Sequence, residues 1–497
     1  MMKEQKAVYT ENACKAEYDT LIFGQDPRCR LSMDCSKTGR NNNFVVAGNT
    51  GSGKTMSTVV PNLLHMEHSN VISVFTKLGL MTKIADDMKK RGYNVHILNL
   101  VEPAKSDYGF DPLRYCKTEE DVGDLAHAII YSAPQCSESR SDPFWDNAAE
   151  KLLEVNLRTV KRKTKPGKDT MDTALRLLDR LYWVDKDDWE ADPDDQEEID
   201  EKWRLYPAHN ILDIAAKEDD TEEAVWQSFA RTCDKTGSSI AVSLQNPLRS
   251  VFPANVRKCL TNPRQFDFAA LMEPKTALFV YISPVNVACH RFVSLFYRQA
   301  FKSLFELAEA RPDRMLPYPV HVFFDDFATG SRIPDFDKYI SIFREKRISV
   351  TILLQSESQL EGIYGKPQAT TIINNCDTYI YLGGMDEMTC QQLALKMALP
   401  EDEILSMAIG KEFFIRRGQK PILTNRYDTP ADPAYIEMIG NNAEVQAEAS
   451  TPDSEGSLRK ESLLDLFDIE VPKAKCSKSF CRGIEDERMS GFRRMKP

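Results

Sequence analysis

No stretch of this chain approaches the roughly 20 consecutive apolar residues needed to cross a bilayer, so the sequence as given reads as soluble. Its first residues, MMKEQKAVYTENACKAEYD, lack the apolar core of a secretory signal. Basic charge is not in excess either: 64 Lys and Arg stand against 75 Asp and Glu, a net charge of −11. That balance excludes a general nucleic-acid-coating protein. Any nucleic-acid contact must come from a local basic surface or an assembled ring. Regular cysteine spacing is missing as well. The 12 cysteines form no ladder, and Cys476 with Cys481 has no second pair or histidine cluster beside it. They read as free thiols of a reducing cytosol. Internal repeats are absent.

What the chain does have is length and apolar content. Its 497 residues are 42% hydrophobic, enough for several domains or one split domain with an insertion. Short apolar runs bounded by turn formers mark buried strands at 44–47, 71–75 and 95–98, with helical stretches between them. From about 116 to 235 such runs vanish. Apolar residues there recur at helical spacing, as in Trp145, Ala149, Leu152, Leu153 and Val160. An acidic block at 185–201 reads as a solvated loop or helix face. Strand runs resume at 277–282, 320–324, 350–354 and 379–382, and two late runs at 413–415 and 422–423 read as edge strands. This rhythm predicts an α/β domain with a mostly parallel sheet covered on both faces, interrupted by an all-α insertion. The expected division is an N-terminal segment (1–35), a nucleotide-binding part (36–115), the insertion (116–235), a second nucleotide-binding part (236–435) and a mostly disordered polar tail (436–497). Within that tail, Leu463-Leu464-Asp465-Leu466-Phe467 is the one apolar segment with the look of a short docking helix.

The chemistry-bearing motif follows the first strand run. Gly48-Asn49-Thr50-Gly51-Ser52-Gly53-Lys54-Thr55 fits the phosphate-binding loop G-x-x-x-x-G-K-[ST]. Its glycines let successive N–H groups point at phosphate oxygens, and the helix starting there adds its positive end. Lys54 suits the β- and γ-phosphates, and the Thr55 hydroxyl suits Mg²⁺. ATP and Mg²⁺ are therefore the expected ligands. Asp325, at the end of the run 320–324, is the candidate carboxylate for the same Mg²⁺, and Asp326 follows where a water-polarising acid is wanted. Gln355, at the end of the next strand, is either a γ-phosphate contact or a surface residue. Arg344 and Arg347 are either solvated or able to reach a neighbouring subunit's site.

These runs, in this order, resemble the conjugative type IV secretion coupling ATPases of the TraG/TraD class. The resemblance covers about residues 20–430. Beside the P-loop it rests on Val59-Val60-Pro61-Asn62-Leu63-Leu64, Phe110-Asp111-Pro112-Leu113, Asp142-Pro143-Phe144-Trp145, Lys275 to Phe279, Phe324 to Ala328, Arg332 to Phe336, Leu354 to Leu360 and Asn375-Cys376-Asp377. It implies a RecA-like motor, with ATP between the subunits of a homo-hexamer. Lys54 and Thr55 would form the P-loop pair, Asp325 the Mg²⁺-associated acid and Asp326 the catalytic carboxylate. Gln355 would be the γ-phosphate sensor, and Arg344 the arginine offered across the ring. It further implies a relaxase or relaxosome with single-stranded DNA as cargo, and type IV channel components as partners. The expected location is the cytoplasm of a bacterium, at the membrane's inner face through partners alone.

Three departures from the family pattern stand out. The usual N-terminal transmembrane helices are missing. Asp326 replaces the usual Glu. Phe75-Thr76-Lys77-Leu78 stands where the family has Asp-Pro-Lys-Gly. The last two lie near the phosphates and bear on turnover more than on binding. They leave two alternatives to the motor: a weakly hydrolysing, nucleotide-gated adaptor that recruits the relaxase, and a related DNA translocase.

Overall fold

Every one of the sequence-expected strand runs forms a strand, and all join one sheet. In the computed structural model, which describes residues 18–132, 143–181, 184, 186–232, 234–283, 287–325, 327, 332–440 and 462–473, nine strands are β3 (Phe44–Ala47), β4 (Asn70–Phe75), β5 (Asn94–Asn99), β6 (Thr276–Tyr281), β7 (Val320–Phe324), β8 (Ile348–Leu354), β9 (Thr378–Tyr381), β10 (Lys411–Arg416) and β11 (Ile422–Asn425). Their order is β11-β10-β9-β3-β8-β7-β4-β6-β5. Pairings from β9 through β5 are parallel, while β10 and β11 close one edge as an antiparallel hairpin.

The central strands lack in–out alternation for a simple reason. All residues of β3, β4, β7 and β8 are buried, so both faces are covered and both must be apolar. One polar exception is instructive. His321 on β7 is wholly buried, and its ring nitrogens meet Ser349 Oγ at 2.7 Å and Thr351 Oγ1 at 2.8 Å on β8. Burial lowers its pKa to about 3, so the ring is neutral and two hydroxyls satisfy it.

The sequence-expected N-terminal segment contributes a hairpin, β1 (Thr20–Ile22) with β2 (Arg30–Ser32). Asn62 holds it to the helix after the P-loop. Its Oδ1 accepts from Ile22 N at 2.7 Å, and its Nδ2 donates to Ile22 O at 2.8 Å. Phe23 packs on Phe44 of β3 with ring centroids 4.5 Å apart.

The described residues fall into two compact units. One gathers those within Met1–Tyr115, Tyr131–Arg140 and Pro247–Ser454, and the other those within Cys116–Ile130, Ser141–Asn246 and Glu455–Pro497. The second unit is all-helical around Pro143–Lys163, against which Glu119–Ile130, Met171–Asp179, Pro207–Ala216 and Asp220–Ala230 pack. Its division from the sheet unit falls inside the helix Asp234–Val251, at Pro247, rather than at the expected residue 235. The acidic block takes the helix-face form of its two sequence readings. It enters the helices Lys186–Trp189 and Gln196–Leu205, with Trp189, Ile199 and Trp203 buried and the acids outside. The polar tail also holds described structure: the helix Pro433–Gly440, and a single turn at Leu464–Leu466 with Leu463, Leu466 and Phe467 buried. Apolar anchors order these two pieces, which a composition average over 436–497 conceals.

Candidate nucleotide-binding site

A parallel sheet directs the C-terminal ends of its strands, and the loops that follow them, toward one edge. Four adjacent strands, β3, β8, β7 and β4, converge there. The loop after β3 is the P-loop. Asp325 follows β7, Gln355 follows β8, and Thr76 and Lys77 follow β4. The strand β8, inserted between β3 and β7, spaces the loop and the acid so that a cleft opens between them. That cleft has a volume of about 380 Å³, and Thr50, Gly51, Gly53, Lys54, Thr55, Asp325 and Gln355 line it, as do Lys77, Met56 and Leu80.

The loop's shape comes from its glycines. Gly51 and Gly53 adopt φ of +79° and +81°, a conformation that a side chain would strain. Gly48, Asn49 and Ser52 form the underside. Gly48 N donates to Leu354 O at 3.1 Å and Asn49 N to Gly383 O at 3.0 Å, which anchors the loop to the strand ends on either side. Lys54 is buried, and its ammonium donates to Gly48 O at 2.6 Å and Asn49 O at 3.2 Å. The helix leaving the loop is wide in its first turn: Val60 N–H bonds Thr55 O, five residues back. Pro61 supplies the reason, because its ring would clash with the carbonyl four residues earlier in a regular α-turn.

Thr55 Oγ1 donates to both carboxylate oxygens of Asp325, at 3.0 Å each. A hydroxyl and a carboxylate held together beside a phosphate-shaped loop are hard oxygen donors of the kind Mg²⁺ takes, so the residues fit that ion. The side chains of Gln355 and Lys77 make no hydrogen bond or ion pair with other described residues. Both face the cleft. Asp326 lies outside the described residues.

Arg344 lies elsewhere. It is exposed at the turn before β8, at the opposite edge of the sheet, and lines a cavity of about 540 Å³ with Arg347, Cys35, Ser36 and Asn42. Arg347 donates from Nη1 to Leu316 O at 2.9 Å, whereas the Arg344 guanidinium bonds no described residue.

Arg426 is a residue that sequence reasoning missed. It follows β11, and the β10–β11 hairpin returns it to the P-loop. Its guanidinium donates to Ser52 O in the loop, to Leu382 O beyond β9, and to Lys411 O at 3.0 Å. Thr429 adds a hydroxyl bond to Met56 O. Nothing local marks Arg426 in the sequence, because its role exists only through the hairpin's register. We expect Arg426→Ala to weaken ATP binding roughly tenfold, the scale of one charge-assisted hydrogen bond. Calorimetric titration checks this, and unchanged affinity would show that the brace is dispensable.

Beside Arg426, on β10, sits fully buried Glu412, whose carboxylate oxygens bond no described partner. A Cβ on Gly24 would lie 2.2 Å from Glu412 Oε1, so a side chain there would displace the carboxylate. Burial raises the Glu412 pKa from 4.5 to about 9, with the Arg426 charge offsetting part of the rise. The folded chain therefore keeps a proton that the unfolded chain loses, and this contribution to stability declines as pH rises from about 5 towards 9. Glu412→Gln should flatten that decline and stabilise the protein at pH 8 by on the order of 3 kcal/mol. Melting temperatures across pH 5–9 for both proteins check it; parallel curves would contradict it.

With this geometry in place, comparison with known proteins is informative. A profile of the family described as type IV secretory system conjugative DNA transfer matches residues 2–398. The chain belongs to that family. Solved structures similar to it include TrwB, a bacterial conjugative coupling protein, in complex with sulphate (TM-score 0.58, 16% identity, 78% of this chain and 85% of that one). TrwB, a plasmid coupling protein, with ADP and Mg²⁺ aligns at TM-score 0.60 and 16% identity over 82% and 90% of the two chains. TrwB with the ATP analogue ADPNP aligns at 0.58 and 16% over the same shares. At this identity these likenesses bear on the fold alone. A search of curated proteins finds no match. Among the described residues of this chain, no helix is long and apolar enough to cross a membrane.

Proposed function

We propose that this chain is the ATP·Mg²⁺-dependent coupling motor of a conjugative type IV secretion system, delivering a relaxase with its single-stranded DNA to the channel. The observation that carries this reading is the convergence of Lys54, Thr55, Asp325 and Gln355 on one cleft at the ends of adjacent strands. In it the Thr50–Gly53 backbone cradles the phosphate tail and the Lys54 ammonium takes charge from it. Thr55 and Asp325 would hold Mg²⁺, which would supply charge neutralisation at the phosphates. Gln355 orients water or reads the terminal phosphate, and Lys77 adds a second positive charge at the cleft wall. Arg344, at the far edge of the sheet, serves the cleft of the next subunit in a homo-hexamer.

A second reading, the weakly hydrolysing adaptor, is favoured by Asp326 in place of Glu and by Thr76 beside Lys77. Asp326→Glu separates the two. Under the motor reading, Asp already supports turnover and the substitution changes the rate by less than about threefold. A gain of tenfold or more would favour the adaptor. The test of the main reading is steady-state ATP hydrolysis with and without single-stranded DNA. Stimulation by DNA supports a motor, and a DNA-independent basal rate does not.

A further inference from the structure

In a stretch of otherwise polar sequence, Leu463, Leu466 and Phe467 are almost fully buried. They lie with the helical unit, whose chain they meet 300 residues away from their own position. The contact has the form of strand addition. Phe467 forms an antiparallel bridge with Thr164, Lys165 N donates to Leu466 O at 3.1 Å, and Asp468 N donates to Lys163 O at 2.7 Å. Lys165 Nζ adds a bond to Asp465 O at 2.8 Å. Charge is complementary. The segment carries Asp465, Asp468 and Glu470 and the receiving turn contains Lys165 and Lys168, while Lys161, Arg162 and Lys163 before the turn pair with acids of the helical unit itself, Asp169, Glu119 with Glu222, and Glu218.

This is how a domain recognises a peptide: main-chain bonds give register, and spaced apolar anchors give specificity. It differs from core packing in extent. One turn, one bridge and three anchors make a small burial gain, which the ordering of the whole segment opposes.

We propose that the turn after Lys163 borders a receptor groove for a short acidic segment with leucine and phenylalanine anchors, which residues 462–473 fill in cis and a partner protein's segment of the same chemistry fills in trans. Naming that partner as secreted cargo rests on the coupling reading; the groove itself does not, and its test involves no nucleotide.

The test uses a fluorescent peptide of sequence Ser462–Lys473 and the full chain, wild type and Leu466→Asp/Phe467→Asp. The peptide should bind the variant saturably and the wild type at least about tenfold more weakly, because the wild-type groove is filled. A peptide carrying Asp465→Lys, Asp468→Lys and Glu470→Lys should bind at least about tenfold more weakly than its parent at low salt. Equal binding to both proteins, or none to the variant, overturns the proposal. Loss of helical circular dichroism in the variant also overturns it, by making the segment part of the core. So does an oligomer present in wild type and lost in the variant, which would assign the segment to exchange between copies. In unaltered protein, the Lys165 and Asp468 amides should exchange hydrogen at least about 100-fold faster than amides midway along Pro143–Lys163. Equal rates contradict the proposal independently.

Discussion

Replacing Lys54 with alanine should reduce ATP hydrolysis by roughly 10²–10³-fold, the scale of removing one preorganised charge or donor from a transition state. The structure explains why the loss should be chemical rather than a folding defect. Lys54 is buried, and two of its bonds go to backbone carbonyls of the loop itself, Gly48 O and Asn49 O. Those bonds hold the ammonium beneath the place where phosphate oxygens enter. After truncation the Gly48 and Asn49 amides keep their partners, Leu354 O and Gly383 O, so the loop stays anchored to the sheet. The mutant should therefore melt within a few degrees of the parent while its turnover disappears. Rates and melting curves on one preparation check both halves, and turnover at the parental rate would remove Lys54 from the mechanism.

Arg344→Ala should be equally severe and different in kind. Arg344 precedes β8 and Gln355 follows it, so the strand's seven residues separate them by roughly 20 Å. Arg344 cannot reach its own chain's cleft along that axis. Its guanidinium, exposed and unbonded among the described residues, suits a neighbour's cleft instead. An arginine supplied in trans is worth about 10³–10⁵ in turnover. We expect Arg344→Ala to lose about 10³-fold in hydrolysis with ATP affinity unchanged. Mixing it with Lys54→Ala protein should restore part of the activity, since some interfaces then join an intact cleft to an intact arginine. Wild-type turnover by Arg344→Ala alone, or no recovery on mixing, would contradict the trans assignment.

The sequence made some of this visible and hid the rest, for physical reasons. The strands were readable because both sheet faces are covered, which turns each central strand into an unbroken apolar run such as Val320–Phe324. The P-loop was readable because its geometry is local: the glycines with positive φ, the lysine and the hydroxyl lie within eight residues. Asp325 and Gln355 were readable because a parallel sheet delivers strand ends to one edge. What stayed hidden depends on contacts between distant residues. Arg426 reaches Ser52 across 374 positions. Asn62 fixes a hairpin 40 residues before it. The Leu463–Phe467 turn was visible as an apolar segment, but its destination beside Lys163 and Lys165 was not. The acidic block was readable as a helix face, but not that Trp189 and Ile199 within it pack inward.

All of these expectations require that the loop, the buried lysine and the Thr55–Asp325 pair accept a triphosphate together with its cation. Calorimetric titration of the folded chain with ATP, in Mg²⁺ and again in excess chelator, measures that requirement directly. The account predicts saturable binding near one nucleotide per chain in Mg²⁺ and marked weakening in chelator. Absence of binding at millimolar ATP·Mg²⁺, by protein whose circular dichroism shows it folded, would contradict it.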